Sequence, residues 1–181
     1  MVFFVFFAFV VLQRIVELVI AKRNETRMKE KGAIEFGEGH YKYIVLLHIS
    51  FLLSAAGEVL FFHKNISPLW PILLLAFTGT QLLRVWAISS LGPYWNTKII
   101  VLPEAEIIKK GPYRFIRHPN YTVVILEILL IPLLFQAYFT AMLFSVLNIF
   151  VLHIRIQEEE RVLAAMTNYE KAFAKISRFT P

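Results

Sequence analysis

The stretch Gly111-Pro112-Tyr113-Arg114-Phe115-Ile116-Arg117-His118-Pro119-Asn120-Tyr121 sets guanidinium, imidazole and phenol groups directly against a long apolar run that begins at Tyr121. That run ends in a second charged cluster, Arg155-Ile156-Gln157-Glu158-Glu159-Glu160-Arg161. On a helix, Arg155 shares a face with Glu158 and Glu159, three and four residues on, whereas Glu160 points about 100° further round. Carboxylates serve cations and hydroxyls, and a guanidinium serves a carboxylate, so the two clusters together suit a polar ligand with charges of both signs. His118 precedes Pro119, which biases it to extended backbone and can open a helix at its first turn. Such a helix end presents free N–H groups, which suit an anion. Each cluster alone has a plainer reading, as a solvated helix end or as an interfacial anchor. A cluster at each end of one apolar hairpin favours a ligand site at a membrane face.

The elements that must position these groups are apolar helices. Of the 181 residues 57% are hydrophobic, above the roughly 45–50% of soluble domains, and mean hydropathy is +0.61. Four runs stand out: Met1–Ala21, Tyr43–Phe62, Ile66–Leu91 and Tyr121–Ile154. A helix needs about 20 residues to cross a ~30 Å hydrocarbon core, so the first three are one span each. The fourth is too long for one span, and Pro132 with Gln136 interrupts it. Since Pro bends or ends a helix, Tyr121–Leu134 and Ala137–Ile154 are expected to form a tight hairpin of two short arms. The fold class is therefore an all-α membrane bundle of about five spans. Lys22–Lys42 reads as a short interfacial helix and a turn, Gly92–Asn96 as a break after the third span, and Ile99–Leu102 as one short extended piece. The apolar start at Val2 lacks a basic region and a cleavage site, and reads as a retained first span.

Charge placement tests this arrangement. Lys22, Arg23, Arg27, Lys29, Lys31 and Lys42 fall in one loop, Lys98, Lys109, Lys110, Arg114 and Arg117 in another, and Arg155, Arg161, Lys171, Lys175 and Arg178 in the tail. The opposite side has Lys64 alone. The positive-inside rule then puts the N-terminus outside and the C-terminus in the cytoplasm. A four-span chain would move the tail away from the Arg-His-Pro loop. The net charge of +6 is thus a membrane feature and not a nucleic-acid footprint. Zero Cys excludes disulfides and thiolate chemistry. His40, His48, His63, His118 and His153 form no pair at metal-ligand spacing, and no glycine fingerprint follows a strand, so a metal-free site is expected. Arg14, Glu17, Glu58, Arg84 and Glu127 lie inside spans, where charges pair or line cavities. Arg14 and Glu17 are spaced to pair on one face, and Glu127 lies within reach of a pocket near Pro119.

Arg117, His118, Pro119 and Tyr121, then Arg155, Glu158 and Glu159, then Tyr169, Phe173 and Pro181 resemble the motif of the isoprenylcysteine carboxyl methyltransferase family. Its members are integral-membrane enzymes that use S-adenosylmethionine. The specific resemblance covers residues 92–181. Arg14, Glu17, Arg23, Asn24, Gly32, Glu35, Tyr41, His48 and Glu58 are similar to the short bacterial branch. Val123 departs from a frequent Gly, and Thr167-Asn168 from a frequent Phe-Gly; both bear on the acceptor pocket.

The resemblance implies one domain over 1–181, with a cytoplasmic cap built from the 92–119 loop and the tail. It implies methyl transfer to oxygen on a lipophilic acceptor from the bilayer: a prenylcysteine carboxylate or, in the bacterial branch, a long-chain hydroxy-pyrone or phenol. Arg155 and Glu159 are then catalytic, Arg117, His118, Pro119, Tyr121, Glu158 and Glu159 hold the cofactor, and Glu127 is a weaker substrate contact. Three alternatives stay open: a phospholipid N-methyltransferase, an NADPH-dependent membrane reductase, and a non-enzymatic scaffold or transporter. The reductase wants extra cations near the tail motif, where only Arg161 is well placed.

Overall fold

Apolar side chains and the absence of internal Pro or Gly let the first segment run as one helix, α1 (Val2–Glu30), in the computed structural model, which describes residues 1–180. Pro181, part of the motif noted above, lies outside the described residues. Helix α1 does not stop near Ala21, and no separate interfacial helix forms. Lys22–Glu30 contains good helix formers, and Glu25 pairs with Lys22 and Lys29 three residues before and four after it.

The chain continues through β1 (Ile34–Phe36), α2 (Glu38–Phe61), α3 (Trp70–Leu91), β2 (Ile99–Val101), α4 (Pro119–Leu134), α5 (Tyr138–Met166) and the short α6 (Tyr169–Phe173). Among the described residues, four helices (α1, α2, α3 and α5) are long and apolar enough to cross a membrane. Helix α4 has 16 residues, a rise of about 24 Å. It packs between α3 and α5 and completes the five-helix bundle.

The hairpin forms where Pro132 and Gln136 suggest. Pro132 sits in the last turn of α4, the Ala137 amide donates to the Pro132 carbonyl at 2.9 Å, and Gln136 takes a left-handed φ of 56°. Its second arm is not short. Residues 155–166 hold no Gly or Pro, so α5 runs unbroken for 29 residues, about 44 Å, and carries the charged cluster out of the bundle. Helix α5 has no side-chain cap of its own. Glu58 of α2 supplies one, accepting from the amides of Thr140 at 2.8 Å and Phe139 at 3.2 Å.

All five long helices meet in one core of Val10, Leu47, Phe51, Phe77, Ile128, Ile131 and Phe144. A second cluster around Val59, Leu134, Phe135 and Ala137 closes the hairpin end. At the opposite end β1 and β2 pair antiparallel, Ile34 facing Val101 and Phe36 facing Ile99. The extended piece near Ile99 is where the sequence places it, but the three residues of β1 are too few to show a period of two. Ile99 and Val101 pack on Val162 of α5. Lys98 and Lys29 clamp Glu35 at 2.8 and 2.5 Å. Asn24 of α1 donates to the carbonyls of Gly92 and Trp95 at 3.1 and 2.8 Å, which pins the turn after α3. The basic segments around 22–42, 92–119 and 155–180 therefore gather at one end as a cap.

Candidate functional site

Pro119 is the first residue of α4 and His118 its N-cap, so the expected helix start is where the chain places it. The preceding 3₁₀ turn (Gly111–Arg114) lies tight on α3. A Cβ built at Gly111, whose φ is 56°, would come within 2.0 Å of Ser90 Oγ and 2.8 Å of Trp86 Nε1. From the other side the tail pairs with the motif. The amides of Arg117 and His118 donate to the carbonyls of Ser177 and Arg178 at 2.9 and 3.2 Å, and Arg117 Nε donates to Ile176 O at 2.5 Å.

The carboxylate that joins these pieces is Glu160, which helical spacing from Arg155 sets aside. Its Oε1 is 3.0 Å from His118 Nε2, 3.4 Å from the Tyr169 hydroxyl, which donates to it, and 3.8 Å from Arg117 Nη1. Arg178 reaches the other oxygen at 2.5 Å. A signal was available: Glu160 continues the buried stripe of Leu152 and Ile156 at four-residue steps. Glu158 turns away and pairs with Arg161 at 2.7 and 2.9 Å.

Arg155 is 4% exposed and reads two partners at once. Its Nε donates to the Tyr121 hydroxyl at 3.0 Å and its Nη2 to the Thr97 carbonyl at 3.1 Å. Tyr121 in turn donates to Glu159. Arg155, Tyr121 and Glu159 thus link α5, α4 and the cap loop. The third guanidinium nitrogen, Arg155 Nη1, is buried with no partner among the described residues, as are Trp95 Nε1 and Asn120 Oδ1. Unpaired buried polar atoms are rare and usually await a ligand or a water.

These three residues line a cavity of about 500 Å³, within the roughly 300–1,000 Å³ range of small-molecule sites. Arg117, His118, Tyr121, Arg155 and Glu159 of the expected set also line it, whereas Pro119, Glu158 and Glu127 do not. Tyr169 and Tyr113 stand at its cap end. Burial pushes both phenols above their ordinary range, helped by Glu160 beside the first and Glu159 beside the second. At the other end the lining includes Ile15 and Leu18 of α1 and Ile49 of α2, each about half exposed on the outside of the bundle.

Beneath the cavity the charges inside the helices form one network. Glu17 accepts from Arg14 at 2.6 Å and from Arg84 at 2.9 Å. Glu127 accepts from Arg14 and Arg84, and from Gln81 at 2.8 Å. Arg14 and Glu17 pair as their spacing suggests, and Glu127, 2% exposed, is the second carboxylate of the same network. Two guanidiniums facing two carboxylates leave it charge-balanced.

A sequence model of the isoprenylcysteine carboxyl methyltransferase family matches residues 72–165, which takes in α3, the cap loop, the hairpin and the Arg155–Arg161 cluster. The chain is also similar to two curated bacterial proteins. An uncharacterized protein, YpbQ, of Bacillus subtilis is 50% identical over 161 residues, 89% of this chain and 96% of that protein. An uncharacterized protein of Haemophilus influenzae is 29% identical over 163 residues, 87% of this chain and 92% of that one. Their names carry no activity, but the likeness runs nearly end to end, past the region that the family model covers. The chain belongs to the isoprenylcysteine carboxyl methyltransferase family, a family of membrane methyltransferases.

Proposed function

We propose that the protein transfers a methyl group from S-adenosylmethionine to an oxygen of a lipophilic acceptor at the membrane. The observation that carries this reading is the single cavity with ionised groups at its cap end and lipid-facing helix residues at the other. The buried, unpartnered Arg155 Nη1 suits a ligand carboxylate, Glu159 suits a cation or ribose hydroxyls, and Trp95 Nε1 and Asn120 Oδ1 add one donor and one acceptor. This donor set fits an amino-acid nucleoside that carries a sulfonium. Bound there, the cofactor supplies an already activated methyl group, so no covalent nucleophile is needed.

The chain's own residues then have three tasks. Arg155, Tyr121 and Glu159 fix the orientation of the polar ligand by holding α4, α5 and the Thr97 segment together. The β-ribbon, the Ala105–Ile108 segment and the tail cover the cavity at the cap end and exclude water. The bundle would hold the acceptor oxygen beside the methyl group that the bound cofactor would supply. We further propose that the cap faces the cytoplasm, since the basic residues gather there. On this reading the acceptor arrives from the lipid between α1 and α2 and not along α4, which lines the cavity only at its first turns, through Asn120, Tyr121 and Val124.

The reductase alternative loses its cation, because Arg161 does not line the cavity and is engaged by Glu158. Thermal stabilisation of the detergent-solubilised protein tests the choice. S-adenosylhomocysteine is expected to raise the midpoint and NADPH to leave it unchanged. Stabilisation by NADPH alone would overturn the methyltransferase reading.

A further inference from the structure

Most cations at the cap end meet a carboxylate, as Lys22, Lys29, Lys98, Arg161 and Arg178 do. Lys109, Lys110 and Arg114 do not. All three are exposed and form no ion pair among the described residues. The carboxylates of the same loop are placed elsewhere: Glu106 lines the cavity, and the Glu104 amide is tied to the Met166 carbonyl at the end of α5.

Lys110 precedes and Arg114 ends the Gly111–Arg114 turn that lies on α3. The turn has two sides. Tyr113 is buried and lines the cavity, whereas Arg114 and Phe115 are exposed and do not line it. Phe115 packs beside Trp86 of α3, with ring centroids 6.4 Å apart. Trp86 is 48% exposed, and its Nε1 lies against Gly111 and donates to nothing among the described residues. Toward the cap, the outer face of α3 passes from exposed Leu82 and Val85 through Trp86 to Ser89, and then to the two cations of the turn. Trp70, the exposed indole at the other end of α3, stands sixteen residues from Trp86, a rise of about 24 Å. Exposed indoles at that spacing mark the two membrane interfaces, which puts Trp86 at headgroup depth.

An anionic phospholipid presents acyl chains, ester oxygens and a phosphate in the same order. We propose that Trp86, Lys110, Arg114 and Phe115 form a binding site for one such lipid on the outside of the bundle, separate from the cavity. The phosphate meets Arg114 and Lys110, the Trp86 N–H donates to a phosphate or ester oxygen, and the acyl chains lie on Leu82 and Val85. The lipid is resident and not the methyl acceptor, since neither Trp86 nor the two cations line the cavity. It braces the turn from the side opposite Tyr113. Charge alone does not single out this place. Arg23 and Arg27 of α1 are also exposed and unpaired among the described residues, but no aromatic residue lies between them and the exposed Val16 and Val19.

The test uses the full chain in nanodiscs that hold equal amounts of phosphatidylglycerol and phosphatidylcholine, with retained lipid read by native mass spectrometry. Wild type is expected to keep one phosphatidylglycerol. Each cation near the surface favours an anionic lipid by about fivefold, so Lys110→Gln with Arg114→Gln should lower retention about 25-fold. Arg23→Gln with Arg27→Gln removes the same charge from α1 and should lower it less than threefold. All four side chains are exposed, so neither double variant disturbs the core.

A second measurement needs no change to the cations. Phosphatidylglycerol brominated in its chains should quench tryptophan fluorescence more than brominated phosphatidylcholine at the same fraction, and Trp86→Phe should remove the difference. Equal losses in the two double variants would mean bulk surface charge only and would overturn the site, as would equal quenching by the two lipids in wild type. Loss of the retained lipid on prior incubation with millimolar inorganic phosphate would assign the cations to a soluble anion and overturn the lipid.

Discussion

His118 Nε2 and Glu160 Oε1, forty-two residues apart in sequence, stand 3.0 Å from each other and join the start of α4 to the exposed end of α5. The same carboxylate takes Arg178 and Tyr169. One side chain thereby closes the C-terminal tail over the Arg-His-Pro motif and holds both against the cavity. The neighbouring carboxylates divide the remaining work: Glu159 faces the cavity and Glu158 pairs with Arg161.

This division is measurable. Glu160→Ala removes the partner of a buried imidazole and releases the tail, and Glu158→Ala removes a partly exposed i,i+3 pair. A hydrogen bond to a charged group contributes about 1.5–3 kcal/mol, so Glu160→Ala is expected to weaken S-adenosylhomocysteine binding by tenfold or more. Hydrogen exchange should quicken over residues 174–180 in the same variant. Glu158→Ala should change affinity less than threefold, since surface pairs are worth about 0–1 kcal/mol. Calorimetry with the order reversed would return the tail's role to Glu158.

The two charged clusters, the hairpin at Pro132 and the gathering of basic segments at one end were legible because composition and spacing report them directly. The ends of the elements were less so. The apolar run of α5 stops at Ile154, but hydropathy marks where the lipid ends and not where the helix does, and Arg155–Met166 has no residue that breaks it. The pairing of Arg14 and Arg84 with Glu127 depends on how α1, α3 and α4 pack, which spacing along one helix does not contain. Glu160 lies off the helical face that Arg155 shares with Glu158 and Glu159, and its partners come from the loop and the tail, which spacing along α5 does not contain. The contact between Arg155 and the Thr97 carbonyl has no side-chain signature at Thr97.

The network beneath the cavity should respond to charge balance more than to any one contact. Glu127→Gln leaves two guanidiniums, buried Arg84 and half-buried Arg14, facing one carboxylate, and breaking the buried Arg84–Glu127 pair in this way costs about 3–5 kcal/mol. The double variant Arg84→Gln with Glu127→Gln restores neutrality and is expected to recover most of that loss. Thermal unfolding in detergent distinguishes the two outcomes. A double variant no more stable than Glu127→Gln would mean that the individual hydrogen bonds, and not the balance of charge, hold α1, α3 and α4 together.

The ribbon that covers the cap end should loosen in acid. Burial pushes the Glu35 carboxyl up, but Lys29 and Lys98 outweigh it and hold it below its ordinary value of 4.5. A carboxylate whose folded value is depressed stabilises the fold fully above its unfolded value, and that contribution is lost as pH falls through the folded one. Lys98 is raised above 10.5, first by its hydrogen bond to Glu35, so its contribution holds below that value and fades as pH rises beyond it. Fluorescence of Trp95, buried beside the ribbon, should therefore be flat between about pH 5 and 10 and begin to change below about 4.5. Glu35→Gln is expected to flatten the acid limb, and an acid limb unchanged in that variant would place the transition elsewhere.

Access to the cavity from the lipid has its own signature. Ile15 and Leu18 of α1 and Ile49 of α2 both line the cavity and face outward, so a bulky side chain there should obstruct a long-chain acceptor and leave the polar end alone. Ile49→Trp is expected to raise KM for a long-chain acceptor in liposomes several-fold while S-adenosylhomocysteine affinity stays within twofold. Leu129→Trp, on a lipid-facing position of α4 that does not line the cavity, serves as the control and should change neither. Tail length adds a second handle. Each methylene that leaves water contributes about 0.8 kcal/mol, but an acceptor already dissolved in lipid has gained this at partition. Longer tails should therefore lower the apparent KM in bulk units and leave kcat nearly constant. A water-soluble, tail-less acceptor that reacts as efficiently as a long-chain one, and that ignores Ile49→Trp, would show that the substrate reaches the cavity through the cap instead.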